Sequence, residues 1–129
     1  MLVLFDADDD CPVHLVHRLL APAQEVRKDK SISLVVANRE FEAWFLAASA
    51  SLAGKCGLPA DFAWPTKPET KRDAKGVISD ALKRASGRPY SQSVDQPKLA
   101  ATFDMGIARE NAPSFDKFWR EISKLVEGE

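Results

Sequence analysis

This 129-residue chain is poor in cysteine, in long apolar runs and in charge of one sign. Two cysteines, Cys11 and Cys56, are too few for a disulfide scaffold. No apolar run approaches the length that spans a bilayer, and no signal-peptide pattern opens the sequence, so the expectation is a soluble cytoplasmic protein with reduced thiols and no membrane contact. Eighteen basic against nineteen acidic residues give a formal charge of −1, so only local charge can point to a partner. Repeats, low-complexity tracts and heptads are also missing, which excludes solenoids and coiled coils. What remains is ordinary: a 45% hydrophobic chain of this length builds one core. Residues 1–129 are therefore read as one domain.

Two textures divide that domain. Leu2 to Phe5 is a short continuous apolar run, as in a strand buried on both faces, and Pro12 stands where a helix can begin with Asp10 or Cys11 as N-cap. Leu15, Val16, Leu19 and Leu20 form the expected inner face of that helix, which frays around residues 25–30. Ile32 to Ala37 reads as a second strand. Asn38 is the expected N-cap of a second helix, with Phe41, Trp44, Phe45 and Ala48 facing inward. Residues 1–53 thus form a βαβα unit. Residues 54–73, with Gly54, Gly57, Pro59, Pro65 and Pro68, read as a long loop packed through Leu58, Phe62 and Trp64. Only helices follow: Ala74 to Ala85 through Val77, Ile78, Ala81 and Leu82; Gln96 to Phe103; Met105 to Asn111; and a last one capped by Ser114. Phe115, Phe118, Trp119, Ile122, Leu125 and Val126 form a single stripe on that last helix. The class is α/β, a parallel βαβα unit followed by a mostly helical C-terminal half.

The stretch ADDDCP, residues 7–12, sits behind the first strand. In a right-handed βαβ crossover both strands end on one edge of the sheet, where open α/β folds bind ligands. Asp6, Asp8 and Asp10 follow the first strand; Asn38, Arg39, Glu40 and Glu42 follow the second. Carboxylates brought that close repel unless a cation or proton intervenes, and clustered oxygen donors suit Mg²⁺ or Mn²⁺. Against this stands the bland reading of an Asp-rich turn as a solvated helix start, which fits Asp9 best. An EF-hand fails, because Cys11 occupies the glycine position and His17 the bidentate glutamate position. A phosphatase of the Asp-x-Asp type fits poorly, because Asp10 stands where threonine or valine belongs. Cys11, His14 and His17, with Cys56, can be drawn as a zinc site, but each three-residue step on a helix rotates a ligand by about 300°, so the first and third point apart. Half-exposed helix histidines are the simpler reading.

FDADDDCP, ANREFEAWFLA at 37–47, DAKG at 73–76 and PYSQSVDQPKLAATFDMGIARENAPSF at 89–115 together resemble a bacterial family of Toprim-like proteins, domain of unknown function 4276. The resemblance runs over essentially the whole chain. It implies a Toprim-like parallel α/β fold and metal-assisted phosphodiester chemistry on nucleic acid, as in a nuclease. Asp6 and Asp8 match the Toprim Asp-x-Asp, so the implied cation is held by Asp6 and Asp8, with Asp10 extending the motif. In Toprim domains a glutamate-bearing strand precedes that motif, and here only Met1 does. The expectation is that the chain starts late or lacks that glutamate. Glu40 is the stand-in candidate as a catalytic carboxylate, with a first-turn dipole partner as its alternative; Glu42 reads as a ligand or a plain surface charge. Between Pro65 and Tyr90, Lys67, Lys71, Arg72, Lys75, Lys83, Arg84 and Arg88 outnumber Glu69, Asp73 and Asp80, either as a solvated helix face or as a guide for a phosphate backbone. Lys75, on the resembling segment, and Arg39 are the phosphate-binding candidates. Two strands leave both sheet edges open, so a homodimer or partner protein is expected to complete one. The alternative function is a non-catalytic interaction module working with a partner such as an ATPase.

Overall fold

The computed structural model describes residues 1–64, 67–70 and 73–128. Pro65 of the loop and Lys71 and Arg72 of the basic segment lie outside the described residues. Strand β1 (Leu2–Asp6) and strand β2 (Ser33–Ala37) pair in parallel, in register from Leu2 with Ser33 to Asp6 with Ala37. Among the described residues these two strands are the whole sheet. Side chains alternate across it. Phe5 and Val36 meet Leu15 and Val16 of helix α1 (Pro12–Val26). Leu4 and Ala37 meet Trp44, Ala108 and Phe115 on the other side.

Helix α1 starts where Pro12 predicts, with Cys11 as an extended N-cap. Its expected inner face is only partly realised. Leu15 is buried, but Leu19 is 37% exposed and Val16 and Leu20 are half-buried. Two strands about 4.8 Å apart make a floor narrower than a helix about 10 Å across, so a full apolar stripe cannot be covered.

The second helix begins later than the sequence suggests. Asn38 does not cap it; residues 38–42 form a turn with Glu40 N donating to Asn38 O at 3.0 Å and Ala43 N to Glu40 O at 3.1 Å. Helix α2 (Ala43–Ala47) follows from Glu42, and α3 (Ser49–Leu52) continues it. All five residues of α2 are buried. Leu58 and Phe62 of the loop join Phe45, Leu52, Ile78, Leu82 and Leu99 in the largest core cluster, as expected of a packed loop.

The C-terminal half is helical: a 3₁₀ turn at Pro68–Thr70, then α4 (Ala74–Ser86), α5 (Gln92–Thr102), α6 (Met105–Asn111) and α7 (Pro113–Val126). α5 starts four residues before Gln96. The reason is buried Asp95, which takes two bonds from Arg88 at 2.8 and 2.9 Å and one from Ser91 N at 2.7 Å, securing a first turn that local propensity alone does not show. Ser114 is not the N-cap of α7; Ala112 is, with Pro113 in the first turn. Its hydroxyl instead donates to the buried Glu69 carboxylate and accepts Trp44 Nε1–H at 2.7 Å, tying the 3₁₀ turn and α7 to α2. The α7 stripe also outruns its floor: Phe115 is buried, while Leu125 and Val126 are 41% and 82% exposed. Among the described residues no helix is long and apolar enough to cross a membrane.

Candidate functional site

Both strands end together, so the turns that follow them meet. Ala7 N donates to Ala37 O at 3.0 Å and Asp8 N to Arg39 O at 2.7 Å. Asp8 and Arg39 each adopt the left-handed conformation, with φ 52° and 64°. Aspartate tolerates that region, whereas arginine rarely enters it, so the Asp8–Arg39 bond holds a turn that neither chain segment would favour alone.

The pleat sends Asp6 to the α2 side, where its Oδ1 accepts Phe41 N–H at 2.8 Å. Burial raises the Asp6 carboxyl above the usual range; the Phe41 amide and Lys75 oppose this, and the Asp8 and Glu40 carboxylates reinforce it. Asp8, Asp9 and Asp10 are exposed. Asp9 pairs with Arg39 at 3.4 Å, a solvent-side contact worth little by itself.

Glu40 reaches across to another element. Its carboxylate accepts Ala74 N–H at 2.8 Å and Lys75 N–H at 3.3 Å, so it serves as a first-turn partner of α4 and not of its own helix. Asp73 caps the same helix, its Oδ1 accepting Gly76 N–H at 3.1 Å. A Cβ at position 76 would meet that carboxylate, so a larger residue there would require the Asp73 side chain to shift. Glu40 and Asp73 together fix the first turn of α4, and with it the half-buried Lys75.

Glu42 is no surface charge. It is wholly buried, and its Oε1 accepts Tyr90 O–H at 3.1 Å and Gln96 Nε2–H at 3.1 Å. Oε2 is buried with no hydrogen-bond partner among the described residues. Burial pushes the Glu42 carboxyl up, Lys75 draws it down and Asp6 adds to the rise; burial and the Glu42 charge also push the Tyr90 hydroxyl up. Tyr90 is set by its backbone bond to Ser79 Oγ at 3.0 Å, and Gln96 by the first turn that Asp95 secures.

Asp6 thus lies within electrostatic reach of Asp8, Glu40, Glu42 and Lys75. Asp8, Asp9, Arg39, Glu40 and Asp73 also line one shallow pocket of about 210 Å³. No group of three or more His, Cys, Asp or Glu side chains among the described residues is placed to hold a metal ion as a set. Asp6 and Asp8 remain a two-carboxylate pair, a donor set that suits Mg²⁺ when waters supply the rest. Of the basic segment, Arg84 pairs with Asp61 at 3.2 Å and Arg88 with Asp95. Lys75 is the basic side chain turned to the crevice. Sequence reasoning misses Tyr90 and Gln96 and leaves Glu42 between a ligand and a surface charge, because nothing in a helical period reveals that an N-cap glutamate turns inward.

A family model described as Domain of unknown function (DUF4276) matches residues 1–123. The chain belongs to this family. No curated protein and no solved structure matches it. Membership in the family spans both halves of the fold, so the acidic turns and the Tyr90–Gln96 segment are parts of one family unit.

Proposed function

We propose that the crevice at the carboxyl edge of the sheet is a Toprim-like site, in which Asp6 and Asp8 hold Mg²⁺ or Mn²⁺ for phosphodiester chemistry on nucleic acid. The observation that carries this reading is the meeting of Asp6, Asp8 and the Lys75 ammonium at the edge where both parallel strands end. A bound cation would polarise the phosphodiester and acidify the attacking water. Lys75 and Arg39 are suited to contact phosphate oxygens, and Asp10, at the solvent side of the turn, is suited to hold a metal-bound water. Glu40 acts through α4, holding Lys75 at the crevice by its backbone. The free thiols Cys11 and Cys56 fit a reducing cytoplasmic setting.

Calorimetric titration of Mg²⁺ and Mn²⁺ into the wild-type chain and an Asp6→Asn, Asp8→Asn double variant tests this. Binding in the wild type and none in the variant is the expected result, to be followed by cleavage assays on DNA and RNA. A folded wild-type chain that takes up no metal at millimolar concentration removes the reading.

One observation favours a second reading, a non-catalytic module with a protein partner. All five residues of β1 are half-exposed and pair with β2 alone among the described residues, leaving an apolar strand edge open to a homodimer or a partner protein. A monomer by light scattering, with no partner required for activity, would argue against it.

A further inference from the structure

Helix α7 runs beside the outer edge of β2. At the carboxyl end Asn38 N–H donates to Ser114 Oγ at 3.3 Å, and at the other end Ser33 O–H donates to Glu121 Oε2 at 3.0 Å. Helix α1 starts from the same carboxyl edge. A cleft of about 390 Å³ lies between the two helices, with Val16 and His17 on one side, Ser114, Lys117 and Arg120 on the other, and buried Val36 at its base. That volume suits a small organic molecule.

The strand edge is unfinished at this base. Ser33 N donates to Met1 O and Ala37 O accepts from Ala7 N, so residues 33, 35 and 37 bond to β1. In a parallel ladder alternate residues turn the other way, which sends the N–H and C=O of Val36 toward the α7 side. Neither group has a hydrogen bond among the described residues, although Val36 is only 4% exposed. A buried donor and acceptor on one residue call for a partner that carries both, as an amide does. Because the bonds from Asn38 and Ser33 to α7 close this edge at both ends, it admits one amide and not a long peptide strand.

The cleft also changes character along its length. Six residues of helix rise about 9 Å, and over that distance the α7 side passes from Ser114, beside Glu69, to Lys117 and Arg120. Glu69 is already engaged, accepting Ser114 N–H at 3.2 Å and Ser114 O–H. Lys117 makes no ion pair among the described residues, and Arg120 reaches Asp116 at 3.1 Å from an exposed position. With His17 on the facing helix, these two cations make the far mouth attractive to an anion.

We propose that this cleft binds a small N-acyl amino acid. Its amide extends the edge of β2 at Val36, its apolar side chain lies on Val13 and Val16, and its carboxylate meets Lys117 and Arg120. The site is separate from the Asp6 and Asp8 crevice and does not depend on the metal reading.

The test titrates three probes into the whole chain, followed by ¹H–¹⁵N correlation spectra: N-acetyl-L-phenylalanine, its neutral primary amide, and 3-phenylpropanoate, which keeps ring and carboxylate and lacks the amide. The acid is expected to shift the Val36 and Val16 amide signals and to bind about tenfold more tightly than the neutral amide, because its carboxylate gains charge-assisted bonds. 3-Phenylpropanoate is expected to bind a few-fold more weakly and to shift the Val36 signal far less. A Lys117→Gln, Arg120→Gln double variant, in which both replaced side chains are exposed, should bind acid and neutral amide alike. A folded wild type in which the acid shifts no cleft signal at about 10 mM would overturn the proposal. So would equal binding of acid and neutral amide in the wild type, or a double variant that still prefers the acid. Affinity for 3-phenylpropanoate equal to that for the acid would overturn it too, because Val36 would then play no part.

Discussion

Helix α2 is five residues long and buries every one of them, whereas α1 is fifteen residues long and fully buries Leu15 alone. The two helices flank the same crevice and follow strands of equal length, so the difference lies in what each packs against. α2 lies among the aromatic rings of α7 and the apolar residues of α4, α5 and α6; α1 rests on a two-strand floor. The lesson is that the crevice has one anchored wall and one loosely held wall. Glu40 and Glu42 stand on the anchored side, engaged by backbone and buried side chains, while Asp8, Asp9 and Asp10 precede the loose helix and stay in solvent. A crevice made this way has its buried carboxylates held in place and its outer carboxylates free to move.

The sharpest way to break that contrast is Trp44→Ala. The indole packs at tilted and edge-to-face angles against Phe41 at 5.1 Å, Phe115 at 5.0 Å and Phe118 at 5.3 Å, and its Nε1–H bonds Ser114. Losing it empties the junction of α2 and α7 and leaves Ser114 with one donor fewer, for an expected destabilisation of about 3–5 kcal/mol by urea unfolding. Since small domains hold only about 5–15 kcal/mol in all, this variant should sit near its unfolding midpoint under mild conditions.

Leu15→Ala is the matching probe of the loose wall and should cost about 2 kcal/mol, the low end for a buried leucine, because its cluster of Ala7, Val36, Phe5 and Val16 is small and can close over the gap. Its second signature is local: faster amide exchange across α1 with α2 unchanged. A loss as large as that of Trp44→Ala, or exchange that quickens equally in both helices, would show that the two walls are one cooperative unit.

The same contrast explains what could be read from the residues alone. Continuous apolar runs marked β1 and β2, Pro12 marked the start of α1, and Met105 to Asn111 came out as predicted because Asp104 supplies an N-cap bond to Ile107 N at 3.0 Å within the segment itself. Asp6 and Arg39 could be set at one edge from topology, without contacts. What stayed hidden depends on partners distant in sequence. Asn38 resembles an N-cap, but the chain spends it on a turn that Arg39's left-handed φ shapes. Glu42 reads as a ligand or a surface charge until Tyr90 and Gln96, about fifty residues away, are seen to face it. Ser114 looks like a cap until Glu69 and Trp44 claim its hydroxyl.

Glu69 yields the smallest effect and tests the anchored wall by pH. Burial raises its carboxyl above the usual value, against the bonds from Ser114 that lower it. The native state therefore holds this proton more tightly than the unfolded chain, whose glutamates titrate near about 4.3. Where native binds more protons than unfolded, stability falls as pH rises, so this contribution is full below about 4.3 and is lost as pH climbs through the raised native value. Asp95 has the opposite slope: Arg88 lowers its carboxyl, so its contribution is present above about 3.9 and is lost on acidification through the lowered native value. Because the two act in different windows, the difference between wild type and Glu69→Gln isolates the first. The amide stays neutral, so urea unfolding followed from pH 4 to 7 should show the wild type losing ground to Glu69→Gln as pH rises. A difference curve sloping the other way would mean that the Ser114 amide and hydroxyl outweigh burial and hold Glu69 as an ion, making it a charged anchor for α7 in place of a desolvated acid.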